Sequence, residues 1–349
     1  MKILYAVQAT GNGHISRAME LLPYLQEYGS VDIFLSGDNS HLALDAPVKY
    51  RSKGISLYYN CKGGLDYWEL IRGLQPRRVR DEIRDLPVDK YDLVLNDFDY
   101  ITSAACLRKK VPSIHFGHQA SFSSITTPRP RQKSKVGEWL LRNFVKSTRQ
   151  IGFHFEAYDD FIVGAVVKKK ILEATPTDLQ HITVYLPSYC EPQLKKIFHT
   201  LPDYSFEIFS GDIKAPARDK NIRFFPVDRE LFNESFISCH AVITGGGFET
   251  PAEALHLGKK IMAIPIRGQY EQLCNVAALQ KLGMTCLPAI DDRFTNEFED
   301  WIKLAPVIKK DYSLSIPHCM EKIFSNTDSD ELSIAGIEQP GNLMPVTCD

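Results

Sequence analysis

Residues 243–283 read ITGGGFETPAEALHLGKKIMAIPIRGQYEQLCNVAALQKLG and contain two strand-to-helix units in succession. The first unit is an apolar run, Ala241–Thr244, which ends in three glycines and leads into a helical pattern over Phe248–Leu257. The second unit runs from Lys260–Pro265 into a helical pattern over Tyr270–Leu282. Short apolar runs that alternate with helices are typical of a parallel sheet covered on both faces. The segment therefore predicts an α/β fold.

The same alternation extends over most of the chain and falls into two series. We expect a first domain over residues 1–160, a second over 161–312 and a C-terminal segment over 313–349 that ends in a mobile tail. The other predicted strands are Ile3–Val7, Val31–Leu35, Tyr91–Asn96 and Ser113–Phe116 in the first series, and Ile182–Leu186, Phe206–Phe209 and Ile222–Phe225 in the second. Each series contains a glycine-rich turn at a strand end, where ligands bind in open α/β sheets.

The composition narrows the possible function classes. The chain of 349 residues carries 41 Lys and Arg against 43 Asp and Glu, a net charge of −2, whereas a general nucleic-acid binder needs a basic excess. The eight cysteines form no C-x-x-C pair, and no apolar run approaches the ~20 residues of a membrane-spanning helix. We therefore expect a globular cytoplasmic protein that binds no nucleic acid.

The glycine turn of residues 243–283 is the strongest local signal for a ligand. Gly245, Gly246 and Gly247 let backbone N–H groups approach an anion, and the N-terminus of the following helix adds a partial positive charge. Thr250 in the first turn can donate its hydroxyl to a phosphate, and Glu253 one turn later can accept both hydroxyls of a ribose. The alternative is an ordinary tight turn with a solvated Glu253.

Glu271 and Gln272 follow the next predicted strand, again at the end where ligands bind. Two adjacent hydrogen-bonding side chains at this place suit a ligand rich in hydroxyl groups. A loop closed by an N-terminal glutamate explains this element equally well when it is taken alone. Both elements together, at this short spacing, favour a site for a phosphorylated ligand that carries hydroxyl groups.

The first predicted strand ends in a loop that contains Gly11, Asn12, Gly13 and His14. One interpretation is a loose dinucleotide-binding fingerprint with Asp38 as its ribose acid, which would indicate a nicotinamide-dependent oxidoreductase. A second is that the glycines leave room for a substrate and present His14 as a base that takes a proton from an attacking hydroxyl. A third is that His14 only caps a helix. All three interpretations stay open at this point.

Asp97 follows the predicted strand Tyr91–Asn96, at the sheet edge where we expect His14. A carboxylate there would orient the imidazole and stabilise its protonated form. The alternative is that Asp97 caps the helix that follows. His118, after the strand Ser113–Phe116, adds a further polar group at the same edge. The sequence thus predicts a polar cluster at the edge of the first sheet.

These elements, in this order, resemble a GT-B glycosyltransferase of the branch that contains the UDP-glycosyltransferases and the lipid-linked N-acetylglucosaminyl transferase of peptidoglycan synthesis. Residues 243–283 carry most of the similarity: a Gly-Gly pair, an acid one turn into the helix, and Glu-Gln before Asn-x-Ala. The N-terminal Gly-x-Gly-His is similar to the superfamily's loop with the catalytic histidine. The resemblance implies two facing Rossmann-like domains with an interdomain cleft.

The resemblance also implies roles for individual residues. The base would be His14, held by Asp97, and the acceptor side would include Gly11, Asn12, Gly13 and His118. The donor side would be formed by Gly245, Gly246, Gly247, Phe248 and Thr250 at the pyrophosphate, Glu253 at the ribose, Glu271 and Gln272 at the sugar, Val227 at the nucleobase and Ser188 near the phosphates.

The implied reaction is an inverting transfer of a sugar from a nucleotide-diphosphate donor, most simply a UDP-sugar, to an acceptor hydroxyl. We expect no cofactor, because the nucleotide sugar is a substrate. We expect no metal, because helix amides face the diphosphate and no Asp-x-Asp pair lies near the donor motif. Gly245 and Glu249 stand where many members have His and Asn, which leaves open a non-catalytic nucleotide-sugar-binding protein. A nucleotide-sugar 2-epimerase of the same fold is the other alternative.

Residues 129–149 are strongly basic, with seven Lys or Arg residues against one carboxylate, Glu138. Trp139 and Phe144 lie among these cations, which is compatible with an anionic or lipid-linked acceptor and with peripheral contact at the inner face of a membrane. The pattern also fits an amphipathic helix that packs its apolar face on the domain and leaves a solvated basic face. We favour the amphipathic helix.

Overall fold

A computed structural model describes residues 1–9, 11–37, 44–54 and 75–324 of the chain. Asp38 and the predicted C-terminal tail lie outside these residues. The fold consists of two α/β units, each built on one twisted sheet, and the ligand-binding edges of both sheets face a common cleft.

Among the described residues the first sheet has seven strands: β1 Lys2–Gln8, β2 Ser30–Ser36, β3 Val48–Ser52, β4 Leu93–Asp97, β5 Ile114–Gly117, β6 Arg149–Phe153 and β7 Ile162–Val163. Their spatial order is β3-β2-β1-β4-β5-β6-β7, and every neighbouring pair is parallel. The strand order reverses between β1 and β4, where a crevice for a ligand opens at the carboxyl ends of the strands. The last strand lies just beyond residue 160, the expected end of the first domain.

In the described part of the chain the second sheet also has seven strands: β8 His181–Tyr185, β9 Ser205–Phe209, β10 Ala217–Asp219, β11 Ile222–Phe225, β12 Ala241–Thr244, β13 Lys260–Ala263 and β14 Thr285–Cys286. Their order is β10-β11-β9-β8-β12-β13-β14, and only β10 runs antiparallel to its neighbour. The order reverses between β8 and β12, so the glycine turn after β12 lies at the second crevice.

The described helices of the first unit are α1 Asn12–Gln26, α2 Pro76–Asp85, α3 Tyr100–Lys109 and α4 Lys135–Asn143, and a short helix α5 Lys169–Leu172 follows β7. The second unit contains α6 Glu191–Phe198, α7 Arg229–Ser238, α8 Glu249–Leu257, α9 Tyr270–Lys281 and α10 Phe294–Leu304, and α11 Ser315–Phe324 comes last. The strands predicted in the sequence analysis are confirmed to within a few residues. The strands β3, β6, β7 and β10 and the helices α2, α5, α10 and α11 were not predicted.

One hydrophobic cluster joins the two units. It contains Val7 and Ile15 from the first unit together with Phe248 and Ala252 from the second, and the ring of Phe155 lies 5.0 Å from that of Phe248. Because this shared cluster buries apolar surface from both units, it fixes the position of the two sheet edges relative to each other. The last helix, α11, also returns to the first unit, where the ring of Phe324 stacks on Tyr28.

The basic segment 129–149 forms a second bridge between the units. Its helix α4 packs Leu141 with Phe122, Tyr270 and Cys274 in one small cluster. The hydroxyl of Tyr270 on α9 donates to Glu138 Oε1 at 2.6 Å. Residues 135–143 of the segment thus form a helix that buries an apolar face, as the favoured interpretation holds, but the surface that this helix contacts includes the second unit.

Candidate active site

The cleft between the units has a volume of about 640 Å³. Its walls come from the carboxyl ends of both sheets and from the helices that follow them. Among the predicted site residues, the lining includes Gly11, Asn12, Gly13, His14, His118, Val227, Gly247, Phe248, Thr250, Glu253, Glu271 and Gln272. The arrangement therefore places acceptor-side and donor-side predictions around one cavity.

His14 and Asp97 form a hydrogen-bonded pair at the floor of the cleft. Val7 of β1 is in register with Asp97 of β4, and α1 begins four residues after β1, so the two side chains meet. His14 Nδ1 lies 2.9 Å from Asp97 Oδ1. An ionised carboxylate only accepts, so Nδ1 carries the proton and Nε2 keeps its lone pair. The imidazole can therefore act as a base through Nε2.

Asp97 is fully buried. Burial raises its pKa, but the charges of Arg17 and His14 outweigh burial and hold the pKa below its usual range. The competing interpretation, in which Asp97 caps the next helix, is wrong because Asp99 Oδ2 accepts from the Thr102 amide at 2.6 Å and caps α3. A Cβ at Gly117 would lie 2.3 Å from Asp97 Oδ1, so glycine is required beside the carboxylate.

The glycine turn after β12 uses its three amides differently. The Gly245 N–H donates to Tyr185 O at 3.2 Å, and the Gly246 N–H donates to the side-chain oxygen of Gln272 at 3.2 Å. A Cβ at Gly247 would meet no described atom within 4 Å, so this residue faces open space. An anion in the cleft would therefore meet the backbone at Gly247 and at the N-terminus of α8.

His118, which was predicted on the acceptor side, contacts the glycine turn at residues 245–248 of the second unit, which we call the donor loop. Its ring stacks on Phe248 at 3.9 Å, and its Nε2 lies 2.8 Å from Asn275 Oδ1. The Asn275 side-chain amide donates in turn to Gly246 O at 3.1 Å. Burial lowers the pKa of His118, so the ring is neutral and donates to one acceptor at a time, either Asn275 or the carbonyl of Phe153. His118 thus links the first unit to the donor loop.

The two predicted sugar-binding residues differ in what they already contact. Gln272 Oε1 accepts from the amides of Gly246 and Ile266 and so holds the two cleft loops together. Glu271 Oε1 accepts from Gln119 Nε2 at 3.1 Å. Among the described residues, Gln119 Oε1 is buried with no hydrogen-bond partner. This oxygen is thus available to a hydroxyl group in the cleft.

The last two predicted donor-side residues, Val227 and Ser188, differ in their relation to the cleft. Val227 is part of its lining, whereas Ser188 is exposed next to the lining residue Pro187. Asn12 also reaches across the cleft to hydrogen-bond Tyr185, whose pKa is raised by burial.

Within residues 1–9, 11–37, 44–54 and 75–324, no group of three or more His, Cys, Asp or Glu is placed to hold a metal ion. Within the same ranges, no helix is both long enough and apolar enough to cross a membrane.

Comparison with known proteins identifies the family. The family model described as glycosyl transferase family 1 matches residues 1–306. The chain belongs to this family. An uncharacterized glycosyltransferase of Methanosarcina acetivorans is 22% identical over 333 residues, which cover 81% of this chain and 84% of that protein. The protein is therefore a glycosyltransferase, as the sequence resemblance indicates.

Solved glycosyltransferase structures confirm the GT-B fold. UGT89C1 of Arabidopsis thaliana, solved with UDP-L-rhamnose, is 13% identical with a TM-score of 0.57, and the match covers 92% of this chain and 93% of that one. MurG of Acinetobacter baumannii is 14% identical with a TM-score of 0.53, covering 92% and 98% of the two chains. Two facing Rossmann-like domains are thus the architecture of this glycosyltransferase.

Arg17 is a buried residue of this glycosyltransferase that the sequence analysis missed. Its guanidinium contacts both Asp97 oxygens at 2.9 Å and Glu249 Oε1 at 2.5 Å. Burial lowers its pKa, but Asp97 and Glu249 outweigh burial and raise it above its usual value. The signal in the sequence is the spacing from His14, since residues i and i+3 share a helix face.

Lys168 is the second missed residue of the glycosyltransferase cleft. Its Nζ lies 3.1 Å from Glu253 Oε2 and donates to Asn233 Oδ1 at 2.8 Å. Burial raises the pKa of Glu253, and the positive charge of Lys168 opposes this effect. Lys168 lies between the two series of predicted strands, in a stretch with no clear hydrophobic periodicity, so its role could not be seen from patterning.

Proposed function

We propose that this glycosyltransferase catalyses an inverting transfer of a sugar from a nucleotide-diphosphate donor to an acceptor hydroxyl, with His14 as the base. The observation that carries the proposal is the His14–Asp97 pair, whose available Nε2 borders the same cavity as the N-terminus of α8. A base on one wall and an anion site on the other are what a direct displacement at an anomeric carbon requires.

The proposed reaction proceeds in one step. The acceptor oxygen forms a bond to the anomeric carbon while the bond from that carbon to the donor phosphate oxygen breaks. The acceptor proton moves to His14 Nε2, and Asp97 stabilises the imidazolium that forms. The nucleoside diphosphate leaves with the electron pair, toward Gly247 and the amides of α8. Attack from the face opposite the leaving group inverts the anomeric configuration.

We propose that the donor diphosphate binds at Gly247, the Phe248 amide and Thr250, where the helix N-terminus favours an anion. Glu253 would accept the ribose hydroxyls, and Lys168 beside it would orient the carboxylate. Because helix amides supply the stabilisation aimed at the leaving group, we propose that no divalent ion is needed. Transfer rates in Mg²⁺ and in excess chelator would then agree within twofold.

For the sugar, we propose contacts with Glu271, Gln272 and Gln119. The buried Gln119 Oε1, which has no partner among the described residues, would accept a hydroxyl of the sugar or of the acceptor. Val227 would face the nucleobase, and Ser188 would lie near the phosphates. A UDP-sugar is our first choice of donor, because UGT89C1 of similar fold was solved with UDP-L-rhamnose.

A thermal-shift panel tests the donor site. The ligands are UDP, GDP, dTDP, their common sugar conjugates and NAD(P). A ligand at 100 times its dissociation constant stabilises the fold by about 2.7 kcal/mol, which is readily seen as a shift in Tm. We expect a shift with one nucleoside diphosphate that Glu253→Ala abolishes and Glu234→Ala, an exposed glutamate of α7, retains. A shift with NAD(P) alone would refute the proposed donor.

The same preparation separates the alternatives. A 2-epimerase would release a free epimer from the donor with no acceptor present. A non-catalytic sugar-binding protein would bind the donor and give no turnover with any acceptor. The ion pair between Glu249 and Arg17 argues against the second alternative, because it leaves no uncompensated negative charge of Glu249 facing a diphosphate.

For the acceptor we propose an anionic or lipid-linked molecule, reached at the inner face of a membrane by this cytoplasmic protein. The supporting observation is α4, where Trp139 and Val136 are exposed beside the exposed basic residues Lys135 and Arg142. Exposed aromatic and basic side chains together suit an anionic lipid surface. The protein should co-sediment with phosphatidylglycerol vesicles, and Trp139→Ala should weaken its binding to these vesicles at least threefold. Equal binding to phosphatidylcholine vesicles would contradict the proposal.

A further inference from the structure

Arg17 connects the predicted base to the donor side of the cleft. On one side its Nη2 lies 2.9 Å from both carboxylate oxygens of Asp97, and on the other its Nη1 lies 2.5 Å from Glu249 Oε1. Asp97 belongs to the first unit and Glu249 opens α8 of the second. The four side chains His14, Asp97, Arg17 and Glu249 thus form one continuous chain of contacts, which we call the cleft chain.

The local backbone leaves room for the cleft chain. A Cβ at Gly13 would lie 2.4 Å from Glu249 Oε2, and a Cβ at Gly117 would lie 2.3 Å from Asp97 Oδ1. Gly13 is helical and Gly117 is extended with a φ of 169°, so neither lies in the left-handed region, and what a larger residue would lack at both positions is space. The glycine at position 13 therefore accommodates a carboxylate of the opposite unit, where the sequence analysis expected substrate.

We propose that Arg17 is a positioning residue for sugar transfer, which holds Asp97 against His14 and at the same time turns the Glu249 carboxylate away from the donor diphosphate. This inference rests on the proposed function and extends it to a residue outside the base and the donor loop. A guanidinium can serve both carboxylates because its fork presents several donors in one plane. A lysine ammonium at the same place would reach one carboxylate or the other.

The first consequence concerns the charge around His14. Arg17 Nη2 lies 3.0 Å from His14 Nδ1. Because Nδ1 carries the proton that it donates to Asp97, it cannot also accept from Arg17. The positive charge of Arg17 therefore repels the protonated form of the His14 ring. Removing the Arg17 charge should favour the protonated ring. Removing the Glu249 charge should disfavour it, because the positive charge of Arg17 is then less compensated. The two changes thus have opposite signs.

Other groups face His14 as well. Asp97 approaches from β4, His115 from β5 and Gln119 from the short helix after β5, with Gln119 Nε2 at 3.5 Å from His14 Nε2. Burial lowers the pKa of His115 to about 4, so that ring is neutral near pH 7. Arg17 and Glu249 are therefore the two charged side chains near His14, besides its hydrogen-bond partner Asp97, that substitution can neutralise.

The second consequence concerns donor binding. Without Arg17, the Glu249 carboxylate would stand in the first turn of α8 with no cation, next to the amides proposed for the diphosphate. UDP should then bind at least tenfold more weakly in Arg17→Met. Adding Glu249→Gln to that variant should restore most of the affinity. A residue that only held the fold together would give no such rescue.

The test has one arm that needs no substrate. In ligand-free protein, the titration of the His14 ring is followed by NMR of labelled histidine and assigned with His14→Gln, since the chain has 10 histidines. We expect the midpoint to be higher in Arg17→Met than in the native protein, because a positive charge beside the ring is lost. It should fall by some tenths of a unit in Glu249→Gln. The matched control is Arg229→Met, which breaks a different pair between the units, Arg229 with Glu20, and should leave the midpoint unchanged.

The outcomes separate this inference from the proposed function. Opposite shifts in the two variants support it, and shifts of the same sign, or none, overturn it. If Arg17→Met does not fold, Arg17→Lys and the partly exposed Glu249→Gln keep the test intact, because Glu249→Gln alone must still lower the midpoint. If UDP fails to bind the native protein, the proposed donor is wrong while the NMR result still decides the role of Arg17.

Discussion

Gly137→Ala is the substitution that probes the contact between the two domains most sharply. Gly137 lies inside α4, and a Cβ there would sit 2.4 Å from ring atoms Cγ and Cδ1 of Tyr270 on α9 and 2.7 Å from its Cβ. These atoms are close to the backbone of a buried residue, so they cannot move aside as a side-chain tip can. The added methyl must push α4 and α9 apart.

Whether Gly137→Ala stabilises or destabilises the protein depends on one favourable and two unfavourable contributions to the free energy of folding. Alanine is favoured over glycine inside a helix by up to about 1 kcal/mol. Overpacking a well-filled contact costs about 1–3 kcal/mol. Displacing Tyr270 also threatens its hydrogen bond to the Glu138 carboxylate, which is worth about 1.5–3 kcal/mol. We therefore expect the free energy of unfolding to fall by about 1–3 kcal/mol.

Calorimetric melting without ligand, followed by UDP titration, measures both consequences. The control is Val136→Ala on the exposed face of the same helix, which should change the unfolding free energy by less than about 0.5 kcal/mol. Gly137→Ala should melt lower and bind UDP more weakly, because the donor loop is held partly through α9. A Gly137→Ala protein as stable as the native one would refute the α4–α9 contact.

Three further outcomes are expected. Gly13→Ala should displace the partly exposed Glu249 carboxylate from its ion pair with Arg17, but alanine is also favoured over glycine inside a helix by up to about 1 kcal/mol. The net fall in the unfolding free energy in chemical denaturation should therefore be at most about 1 kcal/mol, whereas Gly11→Ala, which meets no described atom within 4 Å, should leave the ion pair intact. Asn275→Leu should weaken UDP binding about tenfold in calorimetric titration, since it removes the amide that holds the donor loop. The pKa of Asp97 is lower in the folded protein than in the unfolded chain, so its carboxylate stabilises the fold fully above about pH 4 and progressively less as the pH falls further. The Tm of the native protein should therefore fall with acid below about pH 4, and Asp97→Asn should remove the part of this fall that Asp97 causes.

Much of the fold was predictable because strand runs and glycine turns are local signals. Ile3–Val7 and Ala241–Thr244 are short apolar runs that are followed by glycine within four residues, and each forms a central strand next to a reversal of strand order. The position of His14 beside Asp97 also follows, since the carboxyl ends of neighbouring parallel strands meet at one edge. Pattern alone therefore locates the cleft.

The contacts across the cleft were not predictable, because they depend on how the two domains dock. Arg17 in an amphipathic helix has the pattern of a solvated cation, and Lys168 sits in a run of three lysines whose other two are exposed. Their partners, Glu249 and Glu253, are more than 80 residues away in the chain. In the sequence alone, the negative charge of Glu249 is unfavourable next to a diphosphate, whereas in the structure the charge of Arg17 compensates it.

The role of His14 as the base of a sugar transfer is tested by comparing native protein with His14→Ala, using the donor that the thermal-shift panel identifies and a panel of hydroxyl acceptors. We expect His14→Ala to bind UDP with a dissociation constant close to the native one while transfer slows by about 10²–10⁴-fold. If His14→Ala binds the donor normally and keeps the full transfer rate, His14 is not the base.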